Sequence, residues 1–375
     1  MALKILFVPD KFKGTLTAQD AAEAMARGWR RSRPQDSIEL LPMSDGGDGF
    51  GELVSGLLGA GVQTIETVDA AHRPCEATWW WHEASQTAVV ESARVIGLAQ
   101  LPAGKFHPFE LDTSGLGAVL RAAADHGARR CLVGIGGSAT NDGGFGMARS
   151  LGWQFFNQHG EPIVRWTELH TVAHLRPPEQ ANLFEELAVA VDVQNPLLGA
   201  QGCTRIYGPQ KGLKPDEFAF AERCLEEMAG LIGKELHRNY ADEPGAGAAG
   251  GLGFGLRCFA GARLEPGFAL FARYARLSER LQAAQWVVTG EGAIDASTLM
   301  GKGVGELAQV CRQMNLPCLG LAGVVPNPTE ADKLFRKTFA LAPDFTSPAE
   351  ALTEPAVWLE RLAADVAEKW FPTAI

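Results

Sequence analysis

Several features are missing from this chain of 375 residues, and each absence removes a class of protein. There is no C-x-x-C pair, and the seven cysteines are scattered and odd in number, which suits reduced thiols. No apolar run reaches bilayer length, and the opening ILFVPD run is too short for a signal peptide. A cytoplasmic protein without membrane contact is therefore expected. No long basic run occurs and the net charge is −10, which speaks against non-specific nucleic-acid binding. An acidic chain can still hold a phosphorylated ligand where a metal and local lysines supply positive charge. The P-loop signature G-x-x-x-x-G-K-[ST] is absent, as is the G-x-S-x-G nucleophile elbow. His170 and His174, four apart with Glu168 nearby, could share a helix face, but zinc needs more ligands than this stretch offers.

What is present is glycine. The 43 glycines exceed the usual share of about 7%, and they are clustered, which argues for ligand loops over a linker or a collagen repeat. The clearest cluster is Cys131 to Gly144, CLVGIGGSATNDGG. Cys131 to Ile135 has the bulky apolar run of a strand covered on both faces. The loop after it holds Gly136, Gly137, Ser138, Thr140, Asn141 and Asp142. Such a loop can bring bare N–H groups and hydroxyls to a phosphate, with Asp142 holding a hydrated divalent cation. The structural alternative is an ordinary strand–helix turn.

The same grammar recurs. Lys4 to Val8 reads as a buried strand ending at Asp10; Lys11, Lys13, Gly14 and Thr15 follow in a loop. Thr17 and Asp20 then resemble a capping box ahead of helical spacing at Ala21, Ala22, Met25 and Trp29. Ser37 to Leu41 leads into Asp45, Gly46, Gly47 and Asp48, with a helix from near Gly49. Further strands are expected at Leu187–Val191, Trp286–Thr289, Cys318–Val324 and Lys337–Ala342, and helices at Ser114–His126 and Phe218–Leu231. Thr78–His82 and Thr87–Glu91 alternate like a hairpin, and the Trp79–Trp81 run reads as cross-strand packing rather than a stacking platform. RIYGPQKGLKP reads as a glycine–lysine turn. The literal G-x-G-x-x-G within Gly245–Gly255 follows no strand, so close helix packing suits it better than a dinucleotide.

The length favours two domains. The α/β texture of the two ends differs from the middle, so the expected fold is α/β. Residues 1–65 and 285–375 would form a Rossmann-like three-layer domain with a parallel sheet, and 66–284 a second α/β domain inserted within it. Asp10, Asp45 with Asp48, Asp142, Asp192 and Glu291 with Asp295 all stand at expected strand ends, and Lys11, Lys13 and Lys302 share several of those loops. Carboxylates, lysines and glycine loops at the carboxyl edge of a parallel sheet are what phosphoryl transfer needs.

Six motifs, VPDKFKGTLTA (8–18), SDGGDG (44–49), GIGGSATNDGG (134–144), GPQKG (208–212), GAGAAGGLG (245–253) and GEGAIDASTLMGK (290–302), together resemble the bacterial glycerate kinases that form 2-phosphoglycerate. The resemblance spans almost the whole chain in order. It implies transfer of the ATP γ-phosphate to D-glycerate, dependence on Mg²⁺, and two α/β domains enclosing a cleft. A homodimer is compatible with it. Under this resemblance Asp45 or Asp192 orients or deprotonates the glycerate hydroxyl, and Lys13 neutralises the transferred phosphoryl with Lys302 in reserve. Gly136, Gly137, Ser138, Thr140, Asn141, Gly290, Glu291 and Thr298 line the nucleotide and its phosphates. Asp10, Lys11, Gly46 and Gly47 meet the acceptor, and Asp142 and Asp192 hold the metal. Lys11, Phe50, Ala293 and Ser297 depart from the family pattern, which has Ser, Thr, Arg and Gln there. Ala293 costs a bidentate contact if that Arg clamps a carboxylate or phosphate. The competing expectations are a kinase of another small acid or sugar, and a non-catalytic phosphometabolite-binding protein.

Overall fold

A computed structural model describes residues 2–300 and 303–371. The chain divides into two compact units: residues up to 45 together with those from 268 onward, and residues 46–267. There are thirteen strands among the described residues. They are β1 (Lys4–Pro9), β2 (Ser37–Leu40), β3 (Gly61–Val68), β4 (Pro74–His82), β5 (Thr87–Glu91), β6 (Arg130–Gly134), β7 (Gln154–Asn157), β8 (Val172–Arg176), β9 (Glu186–Val191), β10 (Arg263–Pro266), β11 (Trp286–Gly290), β12 (Cys318–Ala322) and β13 (Lys337–Ala340).

The first unit is built on a five-stranded sheet in the order β13-β12-β11-β1-β2, with every pair parallel. In β1 the residues Ile5 to Pro9 are buried in succession, the consequence of helices covering both faces of a parallel sheet. The helix Ala18–Ser32 starts where Thr17 Oγ1 accepts the Asp20 N–H at 3.1 Å. It buries Ala21, Ala22, Met25 and Trp29 and carries Arg30 and Arg31 in its last turn, where the helix dipole favours cations. Its partner is the helix Pro355–Trp370. Gly28 permits their contact, because a Cβ there would stand 1.9 Å from the Glu360 carbonyl oxygen.

The second unit holds a six-stranded sheet in the order β10-β9-β6-β5-β4-β3. Strands β10, β9, β6 and β5 run parallel, while β5-β4 and β4-β3 are antiparallel. A separate ribbon pairs β7 with β8. This sheet explains where the units divide. The helix Phe50–Leu58 packs near β4 and β5, and β3 pairs along its whole length with β4. Residues 46–65 therefore lie with the second unit, and 268–284 with the first, in place of the divisions at 65/66 and 284/285 expected from sequence texture.

Two local expectations are corrected. The GPQKG stretch is not a turn but the end of a helix, Cys203–Lys211, which continues through Pro209 and stops at Gly212 in the left-handed conformation (φ 106°). His170 and His174 share no helix face: the first closes a 3₁₀ turn and the second lies in β8. The tryptophans serve packing, with the rings of Trp79 and Trp81 against the end of the helix Ser114–Asp125. Trp79 and Trp80 are buried, and the Trp79 and Trp81 rings both meet His126 edge-on, at 5.4 and 5.3 Å.

Candidate active site

In the first unit the strand order turns back on itself at β1: β2 lies on one side, and β11, β12 and β13 on the other. At such a switch point the loops leaving the two central strands diverge and open a crevice beyond their carboxyl ends. Asp10 follows β1 and Glu291 follows β11, and the Asp10 N–H binds the Gly290 carbonyl at 2.8 Å. Asp45, after β2, and Glu306, in the first turn of the helix Gly303–Gln313, complete a group of acids. Gly303 lies against both aspartates; a Cβ there would be 3.6 Å from Asp10 Oδ2 and 3.7 Å from Asp45 Cβ.

Crowding shows in the titration of this group. Burial, then the charge of Asp45, pushes Asp10 up to about 7; Glu291 adds to the rise. The Lys11 N–H, 2.7 Å from Asp10 Oδ1, and the Lys11 charge pull the other way. Glu306 is raised too, by burial first and Asp45 second. Glu291 Oε1 accepts the Thr298 hydroxyl at 2.7 Å, and Asp295 caps the short helix Ala296–Leu299 through the Ser297 N–H at 2.7 Å. Lys13 is exposed on the turn Phe12–Leu16. Gly290 serves packing, with no room for a side chain beside the Leu321 carbonyl. Lys302 lies outside the described residues.

In the second unit the parallel ends of β6 and β9 are neighbours. Their register pairs Gly134 with Ala190, so the loops holding Gly136 and Asp192 leave neighbouring strand ends. Gly46 lies directly over Ala190 and accepts the Gly136 N–H at 3.3 Å, and Gly136 in turn packs on Gly47. The Asp48 carboxylate covers Gly137, where a Cβ would fall 2.2 Å from Oδ1; Gly137 also needs its positive φ of 75°. Asp192 is exposed, and its charge is the second cause, after burial, of the rise of Tyr207 to about 12.

The loop after β6 is more closed than its composition suggests. The Ala139 N–H binds the Ile96 carbonyl, the Leu98 N–H binds the Gly137 carbonyl, and the Thr140 N–H binds Ser138 Oγ. Asp142 is fully buried and its two oxygens take four donors: the Thr113 N–H and hydroxyl, and the N–H groups of Gly144 and Gly146. Burial, then Asp112, pushes it up to about 6. These contacts correct the expectation that Asp142 is a metal ligand; it ties the loop to its surroundings. Thr140 and Asn141 are also fully buried, which removes their side chains from ligand contact. Gly137 alone in Gly136–Asp142 is exposed, with half-buried Gly136 and mostly buried Ser138 at its sides.

Four residues that sequence reasoning missed shape these clusters. Glu91, buried at the end of β5, takes the N–H groups of Gly49 and Gly51 and so caps the helix Phe50–Leu58. Thr113 braces Asp142, Glu306 joins the acids of the first unit, and Lys211 lies buried behind the loop. Only Lys211 carried a signal, as part of GPQKG. The segment with the literal G-x-G-x-x-G serves packing: Ala249, Gly250 and Gly251 are left-handed, and Gly250 abuts the Thr140 carbonyl. Among the described residues no group of three or more His, Cys, Asp or Glu side chains is arranged to hold a metal ion, and no helix is long and apolar enough to cross a membrane.

Comparison with known proteins agrees with this layout. A sequence model described as the glycerate kinase family matches residues 5–371. A glycerate kinase from Halalkalibacterium halodurans is 35% identical over 368 residues, 97% of either chain. A glycerate 2-kinase from Escherichia coli is 34% identical over 325 residues, covering 86% of this chain and 85% of the relative. A solved structure described as glycerate kinase 2 from Salmonella typhimurium LT2 superposes with a TM-score of 0.84 at 31% identity, over 99% of this chain and 98% of that one. The chain is a kinase, a member of the glycerate kinase family.

Proposed function

We propose that this chain transfers the γ-phosphoryl group of ATP to the 2-hydroxyl of D-glycerate, giving 2-phosphoglycerate and ADP. The observation that carries the reading is the carboxylate group at the switch point of the first unit, with Asp10 lifted to about 7 by burial and Asp45. A hydroxyl acceptor must lose a proton as it attacks phosphorus, and a base that titrates near neutral pH is suited to take it. Asp10 and Asp45 share that work, one accepting the proton and the other orienting the hydroxyl, while Lys13 offsets charge on the transferred group. Asp192, exposed just beyond β9, is the second candidate for orienting a reactant. The Gly137–Ser138 apex meets nucleotide phosphates through its backbone.

Mg²⁺ suits these residues, because it prefers hard oxygen donors and is commonly held by one or two carboxylates together with substrate phosphates. Asp192, exposed beyond β9, would hold it, and it would neutralise charge on the phosphate oxygens. The seven cysteines, none in a disulfide, support a reducing compartment such as the cytoplasm.

The test is ³¹P NMR of the product formed from ATP, Mg²⁺ and D-glycerate. A 2-phosphoglycerate resonance is expected; a 3-phosphoglycerate resonance would overturn the regiochemistry and leave the kinase. Asp45→Asn and Asp192→Asn should each lower kcat by roughly 10²-fold or more, and normal turnover in either removes that residue from the mechanism. A second reading, a kinase of a different small hydroxy acid, is favoured by Ala293 standing in the loop after β11, where the family pattern that the chain resembles has Arg. A panel of hydroxy acids, ranked by kcat/KM, separates the two.

A further inference from the structure

One lysine has no part in the reaction as proposed, yet it is placed in the molecule at a high electrostatic cost. Lys211 closes the helix Cys203–Lys211 and is only 6% exposed. Its ammonium donates to the carbonyl of Thr140 at 2.6 Å. A buried ammonium without compensation is unfavourable by several kcal/mol, so a chain that keeps one generally uses its charge or its donors. Here the partner is a backbone carbonyl three residues after the exposed Gly137. Nothing bulkier than glycine fits behind the pair: a Cβ at Gly250 would lie 2.0 Å from the Thr140 oxygen and 2.8 Å from Lys211 Nζ.

The same helix grips the loop a second time. Thr204, in its first turn and fully buried, accepts the Asn141 side-chain N–H at 3.0 Å. Asn141 Oδ1 is buried too and makes no hydrogen bond, so Asn141 is held by this helix through its amide nitrogen. Two successive loop residues, Thr140 and Asn141, are thus fastened to the two ends of one helix, and both fasteners are shielded from water. From the other direction Asp142 pins the next residue to Thr113. The apex Gly136–Ser138 is the part left at the surface, and its own N–H groups at Gly137 and Ser138 find no partner among the described residues.

We infer that Lys211 is a positioning residue: its ammonium fixes the Thr140 carbonyl inward, which turns the Gly137 and Ser138 N–H groups outward to receive the nucleotide's phosphate oxygens. This rests on the reading of the loop as a phosphate cradle. Burial also draws the Lys211 pKa down to about 8, with Cys203 and Asp142 opposing the fall. The amine therefore stays predominantly protonated at neutral pH and lends a positive charge to the back of the loop.

The experiment compares Lys211→Met with Gly137→Ala by steady-state kinetics in MgATP and in D-glycerate, with thermal unfolding of each. Positioning predicts that Lys211→Met raises KM for MgATP by roughly ten-fold or more, with KM for D-glycerate nearly unchanged. A fall in melting temperature with both KM values unchanged means that Lys211 only stabilises the fold, and overturns the inference. Gly137→Ala, whose methyl group would collide with the Asp48 carboxylate and displace the apex backbone, reports on the cradle itself. If it raises KM for MgATP while Lys211→Met does not, the cradle stands and the lysine's role falls. If it leaves KM for MgATP unchanged, the cradle and the inference fall together. Should Lys211→Met not fold, the wild-type protein answers directly. The Lys211 side-chain resonance, followed by ¹H–¹⁵N NMR, should move on addition of MgADP; an unmoved resonance overturns the inference.

Discussion

Asp10 carries a consequence for stability that follows from its surroundings. In the unfolded chain it titrates near 3.8, while in the folded chain burial and Asp45 lift it to about 7. Between these values the folded chain keeps a proton that the unfolded chain has released, so stability falls as pH rises from about 4 to about 7 and stays lower above that. Asp10→Asn removes the penalty. It should raise the melting temperature at pH 8, by a stability gain on the order of 2–4 kcal/mol, and change it little at pH 4, while abolishing most turnover. Equal melting temperatures at pH 8 would show that the carboxyl is not destabilised. Asp142 behaves differently, because four donors converge on its two oxygens. Asp142→Asn turns one of those oxygens into a donor facing donors. It should cost about 2–3 kcal/mol in chemical denaturation, with activity lost in parallel.

At the scale of elements, packing decided what local sequence left open. The helix Ala18–Ser32 announces itself through Thr17, Asp20 and apolar spacing, but nothing in that stretch says that Gly28 is the point of contact with Pro355–Trp370. Gly28→Ala puts a methyl group where the Glu360 carbonyl stands. The two helices must move apart, and a loss of roughly 1–3 kcal/mol is expected by thermal or urea unfolding; an unchanged midpoint would show that this contact yields easily. The helix Cys203–Lys211 was hidden because Gly208 and Pro209 are turn formers in isolation. Its burial against the loop after β6 and the left-handed stop at Gly212 outweigh those local preferences. Strands β3, β7, β8 and β10 were unread for a related reason: they are short or only partly buried, so their apolar residues do not alternate clearly.

At the scale of the whole molecule, each unit has a sheet and an apolar core of its own. The core of residues 46–267 is built on one face of its six-stranded sheet, through Ala88, Val90, Cys131, Val133, Leu187 and Val189, and draws on no residue outside that span. Residues 46–267 expressed alone should fold with dispersed amide resonances and a cooperative unfolding transition; a fragment without fixed structure would show that this core depends on the remainder of the chain.

The sequence by itself determined the α/β class, most of the parallel strands and the family, because those rest on short apolar runs and on six glycine- and acid-rich motifs that survive in linear order. It also placed carboxylates at strand ends, a property of local punctuation. Only the tertiary structure decided which of those carboxylates are crowded and which are spent. Asp10 is near 7 because residues from three distant segments surround it, and Asp142 is withdrawn from ligand contact because Thr113 and the backbone beyond it consume its oxygens. Lys211 is the same lesson reversed: a lysine in an apparent turn becomes a buried charge once its helix is laid behind the loop. Burial and neighbouring charge set these roles, and both are sums over residues far apart in the chain.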